Sequence, residues 1–197
     1  MKHLLITGFD PFDGADVNPA WEAVCRLPDT LGGFRLTKLM IPTRFGIAGK
    51  QVLAAAAADP ADVILCVGQA GGRAAVTPER VAVNLMDATI SDNAGVSPKE
   101  EPCIPGGPDG LFSTLPVKEL ADAVCKAGLP GQVSLSAGTF VCNDTLYRVL
   151  YHFRDSQTKV GFIHVPFLPE QAGDRYPSME LADMVRALES IICALHK

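Results

Sequence analysis

The sequence predicts an α/β protein, a three-layer α/β/α sandwich in which helices cover both faces of a mostly parallel, twisted central sheet. Short apolar runs alternate with helical patterns along the chain, as expected of successive strand–helix units. One run, Val63–Val67 (VILCV), is apolar throughout, which is typical of a parallel strand buried on both faces. The composition agrees, since 197 residues with 48% hydrophobic and 20% charged side chains describe a packed chain the size of one domain.

The first half of the chain contains the simplest strand–helix pattern. Its predicted strands are His3–Thr7, Phe34–Pro42, Val63–Val67 and Val81–Met86. One helix is expected to begin at Pro19 behind the N-cap Asn18, because an Asn side chain accepts from the free N–H groups of a first turn. The alanine-rich segment Ile47–Ala58 is a strong helix former and predicts the second helix.

The second half begins with a long polar segment, Asp87–Gly110, which is rich in Pro and Gly. A loop of that length in a compact protein is often functional, and the sequence leaves open whether it covers a site, contacts another subunit or is simply solvated. The remaining predicted elements are a helix over Leu115–Ala127, a strand over Gly161–Pro166, and a helix from the cap Ser178 to Leu195.

A strand, a turn and a helix are predicted around Cys142. The turn is Ser136–Thr139, and apolar residues three and four apart then indicate a helix with one buried face: Leu146, Val149, Leu150 and Phe153. A cysteine in the first turn of a helix lies near free N–H groups and the positive end of the dipole, which favours the thiolate. Cys142 is therefore a candidate nucleophile, although a buried packing role fits the local pattern as well.

Charge and cysteine content exclude several classes of function. The net charge is −5 and no run of Lys or Arg is present, which argues against nucleic acid or an anionic membrane as partner. The N-terminus has no export signal, so we expect a cytoplasmic protein. The six cysteines form no CxxC pair, which predicts neither a disulfide framework nor a metal site. Cys25, Cys66 and Cys193 lie in apolar runs and are predicted to be packing residues.

Several chemically distinctive side chains follow predicted strands. They are Phe9, Phe12, Gln69, Cys142 and His164. Because ligands bind at the carboxyl ends of parallel strands, these residues are expected to meet at one edge of the sheet. The glycine-rich segment 68–73 follows a strand too, but its spacing fits neither phosphate-binding pattern, so a phosphate site has little support.

Four segments give the chain a resemblance to a known family. They read GFDPFDGADVNPAW (8–21), VGQAGGRAAVTPERVAVNLMDATISDN (67–93), SAGTFVCNDTLY (136–147), and GFIHVPFLPEQA with PSM (161–179). With these motifs the chain resembles pyroglutamyl peptidase I, a cysteine peptidase family with a phosphorylase/hydrolase-like sandwich. The resemblance spans nearly the whole chain and implies a single peptidase domain over 1–197. It also implies a homotetramer and neither metal nor cofactor.

The resemblance implies an activity and the residues for it. The activity is removal of N-terminal pyroglutamate from peptides through a thioester on Cys142, with His164 as base and Glu79 orienting the imidazole. The implied wall of the substrate pocket is formed by Phe9, Phe12, Thr43, Phe140 and Val141, with Gln69 as a polar neighbour. Such a pocket would hold a flat, neutral lactam between apolar surfaces.

The chain departs from the family pattern at two positions. Ala20 replaces a serine, and Thr89 stands where an arginine near the site is expected, for which Arg73 and Arg80 are candidate replacements. The alternative hypothesis is therefore a weakly active or inactive homologue, or another thiol amidohydrolase on the same fold. A nucleoside phosphorylase lacks support because no phosphate loop is present. A thiol sensor lacks a second cysteine close to Cys142 in the sequence.

Overall fold

The computed structural model describes residues 1–195. Within that range the strands are β1 (Lys2–Phe9), β2 (Thr30–Leu31), β3 (Phe34–Ile41), β4 (Val63–Gln69), β5 (Thr77–Pro78), β6 (Val81–Val83), β7 (Gly110–Phe112) and β8 (Lys159–Val165). The helices are α1 (Pro19–Arg26), α2 (Ile47–Ala58), α3 (Val117–Lys126), α4 (Val141–Phe153), α5 (Pro169–Ala172) and α6 (Leu181–Ala194). None of the helices in this range is long and apolar enough to cross a membrane.

The central sheet has six strands in the order β2-β3-β1-β4-β8-β5. Its four long strands pair in parallel, whereas the two-residue edge strands β2 and β5 pair antiparallel to their neighbours. A separate antiparallel pair joins β6 to β7. Because β1, β4 and β8 run in the same direction, their carboxyl ends at Phe9, Gln69 and Val165 lie along one edge of the sheet.

Alternate side chains of the central strands face two separate apolar layers. Along β1, Leu4 and Ile6 pack with α1, α3 and α6, whereas Leu5 and Phe9 pack with α2 and α4. The side chains of β4 alternate between the same two layers. Helices therefore cover both faces of a mixed but mostly parallel sheet, and the predicted three-layer sandwich is confirmed.

Of the two helix N-caps predicted from the sequence, one is confirmed and one is wrong. Asn18 caps α1 as predicted, with its Oδ1 accepting from the Ala20 N–H at 3.0 Å. The prediction that Ser178 caps the last helix is wrong. Ser178 lies beside Phe167 in an isolated bridge and the Met179 N–H donates to the Phe167 carbonyl, so α6 begins only after Glu180.

Two predicted strands are also corrected. The segment Val81–Met86 does not join the central sheet, because only Val81–Val83 is extended and it pairs with β7 beside α4. No strand precedes α4 either. Residues 131–140 are irregular, and Gly131 and Ser134 each make one isolated bridge to the segment around β5.

The cysteines are all free thiols. Cys66 is fully buried in β4, as predicted, and burial raises its pKa to about 11. Cys25 and Cys193 are exposed, so their predicted packing roles are wrong. Both lie on amphipathic helices, where an apolar stretch of sequence still includes positions on the solvent side.

Candidate active site

The edge strand β5 brings Glu79 to His164. In the β5–β8 register Thr77 lies opposite His164, and the Glu79 N–H donates to the Phe162 carbonyl at 2.9 Å. Glu79 follows Thr77 by two residues and so projects from the same face. The His164 ring is thereby placed with Nδ1 at 2.7 Å from Glu79 Oε1, and both side chains are almost completely buried.

Gly68 brings Cys142 to the same place. Cys142 is the second residue of α4, and its Sγ would lie 2.9 Å from a Cβ on Gly68. Gly68 in turn pairs with His164 across β4 and β8, and paired residues project to the same face of a sheet. The thiol therefore lies over Gly68 of β4, on the face of the sheet to which the His164 side chain projects. The absence of a side chain at residue 68 makes room for the sulfur.

Burial and the neighbouring charges set the protonation of these groups. Burial opposes ionisation of Glu79, but the hydrogen bond and charge of His164, with Ser134 and Arg73 contributing, lower its pKa overall. Burial lowers the pKa of His164 despite the opposing influence of Glu79, and Arg73 lowers it further. The free protein therefore holds an ionised carboxylate beside a neutral imidazole.

The helix start, which favours the thiolate, does not by itself ionise Cys142. Burial raises the pKa of this thiol, and Glu79 and Cys66 raise it further, while Arg73 and the residue's own backbone N–H lower it. Desolvation of the charged form thus outweighs the helix start. Cys142 is a neutral thiol that needs a base, and the imidazole beside it can supply one.

A cavity of about 320 Å³ opens over Cys142 and His164. Five of the six predicted pocket residues line it: Phe9, Phe12, Thr43, Gln69 and Phe140. The aromatic wall is braced, because the Phe140 ring packs edge-on against Phe45 at 5.2 Å and tilted against Phe12 at 6.1 Å. The cavity is thus apolar on one side and holds the thiol and imidazole on another.

The prediction that Val141 belongs to the pocket wall is not supported. Val141 is the first residue of α4, fully buried, and packs in the core layer beneath α2 and α4. The start of the helix turns its side chain toward the sheet, while its neighbours Phe140 and Cys142 face the cavity.

Several cavity residues were missed by the sequence interpretation. They are Asn18, Ala70, Gly71, Arg73, Ser136, Ala137 and Gly138. Apart from Gln69 and Arg73, segment 68–73 was considered as a phosphate loop, yet its position after a central strand was itself a signal that it lines the site. Arg73 had been considered for another role. Its guanidinium instead binds Glu79, with Nη1 2.6 Å from Oε1.

The long loop 87–110 supports the cavity from outside. Asp92 is buried, and its Oδ2 accepts from the Phe45 N–H at 2.9 Å. Asn93 donates through its side-chain amide to Asp10 Oδ1 and to the Pro11 carbonyl, and so connects this loop to the one that carries Phe12. Thr89 lies in the same loop, but its side chain is exposed and is not among the residues lining the cavity.

Comparison with known proteins identifies the family. The profile described as pyroglutamyl peptidase matches residues 2–197. The chain belongs to the pyroglutamyl peptidase family. A pyrrolidone-carboxylate peptidase of Levilactobacillus brevis is 51% identical in an alignment 197 residues long. That alignment covers 98% of this chain and 96% of that protein. The predicted family is confirmed, and the chain is a hydrolase.

Solved structures of the family share the whole fold. Pyroglutamyl peptidase I of Bacillus amyloliquefaciens has a TM-score of 0.96 and 40% identity, and the match covers 100% of this chain and 97% of that one. The pyrrolidone carboxyl peptidase of Thermococcus litoralis has a TM-score of 0.94 and 30% identity, with coverage of 99% and 93%. The architecture of this family is therefore present throughout residues 1–195.

Proposed function

We propose that this protein is a cysteine exopeptidase that removes N-terminal pyroglutamate from peptides and proteins. The observation that carries the proposal is that Cys142 and His164 line one cavity while His164 Nδ1 contacts the Glu79 carboxylate at 2.7 Å. A thiol, an imidazole and a carboxylate in this order form the constellation that acyl transfer requires. Family membership supplies the substrate class.

The first half of the proposed reaction forms a thioester. Nδ1 of His164 is hydrogen-bonded to Glu79. The other ring nitrogen, Nε2, therefore takes the proton from the Cys142 thiol. The sulfur then attacks the carbonyl carbon that follows the lactam ring. The C–N bond breaks, His164 returns its proton to the departing amine, and the pyroglutamyl group remains on Sγ.

The second half releases the acid. Water gives a proton to His164 and attacks the thioester carbonyl, and the Cys142 sulfur leaves and is reprotonated. In both halves Glu79 stabilises the imidazolium that forms at His164. Backbone N–H groups at the start of α4 have no partner within the helix and can receive the developing oxyanion.

The cavity suits a neutral cyclic amide. Its wall rings, Phe9, Phe12 and Phe140, offer apolar surface to a flat ring, and Gln69 and Thr43 supply polar atoms. A site for an ordinary N-terminus would need a group that binds a charged amine. The side chains on the apolar side of this cavity carry no such charge, which supports specificity for the uncharged lactam.

The test is hydrolysis of a pyroglutamyl-coumarin amide by reduced protein, with and without a chelator. We expect fluorophore release that the chelator does not change, and none from prolyl- or glutamyl-coumarin amides. Absence of release from folded, reduced protein would contradict the proposal. Recovery of release by Thr89→Arg would then identify the weakly active homologue. Release from the prolyl amide alone would indicate a different amidohydrolase.

The departing peptide has a groove beside the cavity. A second cavity of about 680 Å³ shares Phe12, Gln69 and Gly71 with the first. Its lining within residues 1–195 includes the carboxylates of Asp13, Asp16 and Glu170 and no cationic side chain. The residues that follow pyroglutamate are proposed to run along this groove.

The groove predicts a charge preference in the substrate. Peptides with Lys after pyroglutamate should have a kcat/KM roughly threefold to tenfold higher than those with Glu at low salt, because local carboxylates attract the cation. The preference should shrink as salt screens these exposed charges. Competition between the two peptides at low and high salt measures both effects. An equal kcat/KM at low salt would contradict the prediction.

Gly68 predicts a strong local effect of one added methyl group. A Cβ at this position would lie 2.9 Å from the Cys142 sulfur and 2.8 Å from the Phe162 ring, so the thiol must move. We expect Gly68→Ala to reduce kcat roughly a hundredfold, the scale of a 1 Å misplacement of a reacting group. Gly49→Ala is the control, since the atoms nearest to its Cβ are Cβ and Cδ of Arg148, at 3.2 Å, and neither residue lines the cavity. Full activity of Gly68→Ala would contradict this placement of the sulfur.

The remaining features of the family are proposed here as well. We propose a cytoplasmic homotetramer in which each chain, 1–197, is one peptidase domain. Exposed apolar side chains support assembly: Phe112 and Leu135 are each 71% exposed, and large exposed apolar side chains are common at subunit contacts.

A further inference from the structure

Arg73 joins the parts of the site that the chain brings from separate segments. Its Nη1 donates to Glu79 Oε1 and to Thr77 Oγ1, both at 2.6 Å. Its Nη2 donates to the Ser136 carbonyl at 3.0 Å. Ser136 belongs to the irregular segment that leads into α4 and Cys142. One guanidinium thus binds the Glu79 carboxylate, the edge strand β5 and the segment that leads into α4.

The fully buried Glu79 carboxylate needs this partner. A buried charge without a compensating charge either acquires a proton or causes a neighbour to become charged. The neighbour available to Glu79 is His164, which would then be protonated and unable to act as a base. The positive charge of Arg73 offsets the carboxylate, so Glu79 stays ionised while His164 stays neutral.

We propose that Arg73 is the positioning residue of this site: it holds the Glu79 carboxylate against His164 Nδ1 and fixes the segment before Cys142 to the same group. This inference deepens the proposed function, since it concerns the same three side chains. A lysine would keep the charge, but only the planar fork of arginine provides donors in several directions at once. Arg73 is therefore engaged by the carboxylate and is not free to replace an arginine at residue 89.

The kinetic test compares substitutions of Arg73 with that of an exposed arginine outside the site. We expect Arg73→Met to lower kcat roughly a hundredfold, the scale for a misplaced catalytic group, with KM changed less than about threefold. Arg73→Lys should recover part of kcat because it keeps the charge but not the bond to Ser136. Arg26→Met is the control, because Arg26 is exposed at the end of α1 and its guanidinium binds Glu22 of the same helix. An unchanged kcat in Arg73→Met would overturn the proposal.

A titration of His164 provides a second readout that a purely structural role would not move. Among the described residues, Glu79 beside β5 and Arg73 from the loop after β4 act on the pKa of its ring, and Cys142 from α4 lines the same cavity. Arg73 lowers the pKa of His164, so its removal should raise the midpoint. The midpoint can be followed by NMR of ¹⁵N-labelled histidine in reduced, substrate-free protein, with His164→Gln to assign the signal. Arg73→Lys should keep the midpoint near that of the unsubstituted protein.

The titration separates failure of this inference from failure of the proposed function, because it uses no substrate. A raised midpoint in Arg73→Met supports the positioning role whether or not pyroglutamyl amides are hydrolysed. An unchanged midpoint in folded Arg73→Met overturns it even if hydrolysis is normal. If Arg73→Met does not fold, Arg73→Gln, which removes the charge but keeps an amide donor, decides by the same criterion.

Discussion

Replacing Cys142 with alanine is expected to reduce kcat by roughly 10⁴- to 10⁶-fold, the range found when the nucleophile of a comparable triad is removed. Substrate binding should persist, since the aromatic wall of the cavity does not depend on the sulfur. The change also removes a partly buried neutral thiol without adding volume, so the fold should be retained. Hydrolysis and substrate binding by the same preparation, measured separately, test both expectations.

The matched control is a buried thiol on the same side of the sheet. Cys103 is 2% exposed and packs in the core layer that includes Cys142, and burial raises its pKa to about 12. Cys103→Ala should therefore cost stability but leave kcat/KM unchanged. Equal loss of activity in the two variants, or residual hydrolysis by Cys142→Ala within about tenfold of the unsubstituted protein, would contradict the role given to Cys142.

Glu79→Gln is expected to have the second largest effect, a loss of roughly 10³- to 10⁴-fold in kcat. The amide has nearly the shape of the carboxylate but no charge to stabilise the imidazolium, and it can present its NH₂ group to Nδ1 and favour the wrong tautomer. It also leaves the Arg73 guanidinium without its buried counter-charge. KM should change little, because Glu79 lies behind His164 and is not among the cavity-lining residues.

The same substitution predicts a shift in the pH profile. Glu79 raises the pKa of His164, so its neutralisation lowers that pKa further. The acid limb of kcat/KM, where His164 gains a proton and ceases to be a base, should move to lower pH in Glu79→Gln. Glu119→Gln, an exposed carboxylate at the start of α3, should change neither kcat nor the profile. A profile that moves to higher pH, or a kcat close to normal, would contradict the role given to Glu79.

Local patterns in the sequence predicted the layers of the fold and made Cys142 a candidate nucleophile. The alternation of apolar runs and helical patterns was sufficient for the parallel core, and the spacing after Cys142 predicted α4. Signals failed where a long-range contact decides the structure. Val81–Met86 has the pattern of a strand, but its partner is β7 across a long loop. Ser178 is a good helix cap, but its backbone is engaged by Phe167.

The site was less predictable than the fold, because the role of most of its residues depends on contacts with residues from other segments. Neither Glu79 nor His164 stands out locally, and both were identified through the family pattern. The proposed roles of Gly68 and Arg73 depend on contacts between β4, β5 and the segment that leads into α4. These segments are distant in the sequence, so a pattern over a few neighbouring residues does not reveal the contacts. The net effect of the surroundings on the pKa of Cys142 was out of reach for a related reason. The helix start is visible in the sequence, but the burial that outweighs it is not.

The most direct test of the account is to trap and locate the acyl group. The protein is mixed with a pyroglutamyl ester, which acylates rapidly, quenched in acid within the first turnover, digested and examined by mass spectrometry. We expect the mass of one pyroglutamyl group on the peptide that carries Cys142, and on none of the peptides that carry the other five of the six cysteines. Turnover without an adduct on Cys142, or with the adduct on another residue, would contradict thioester catalysis at this site.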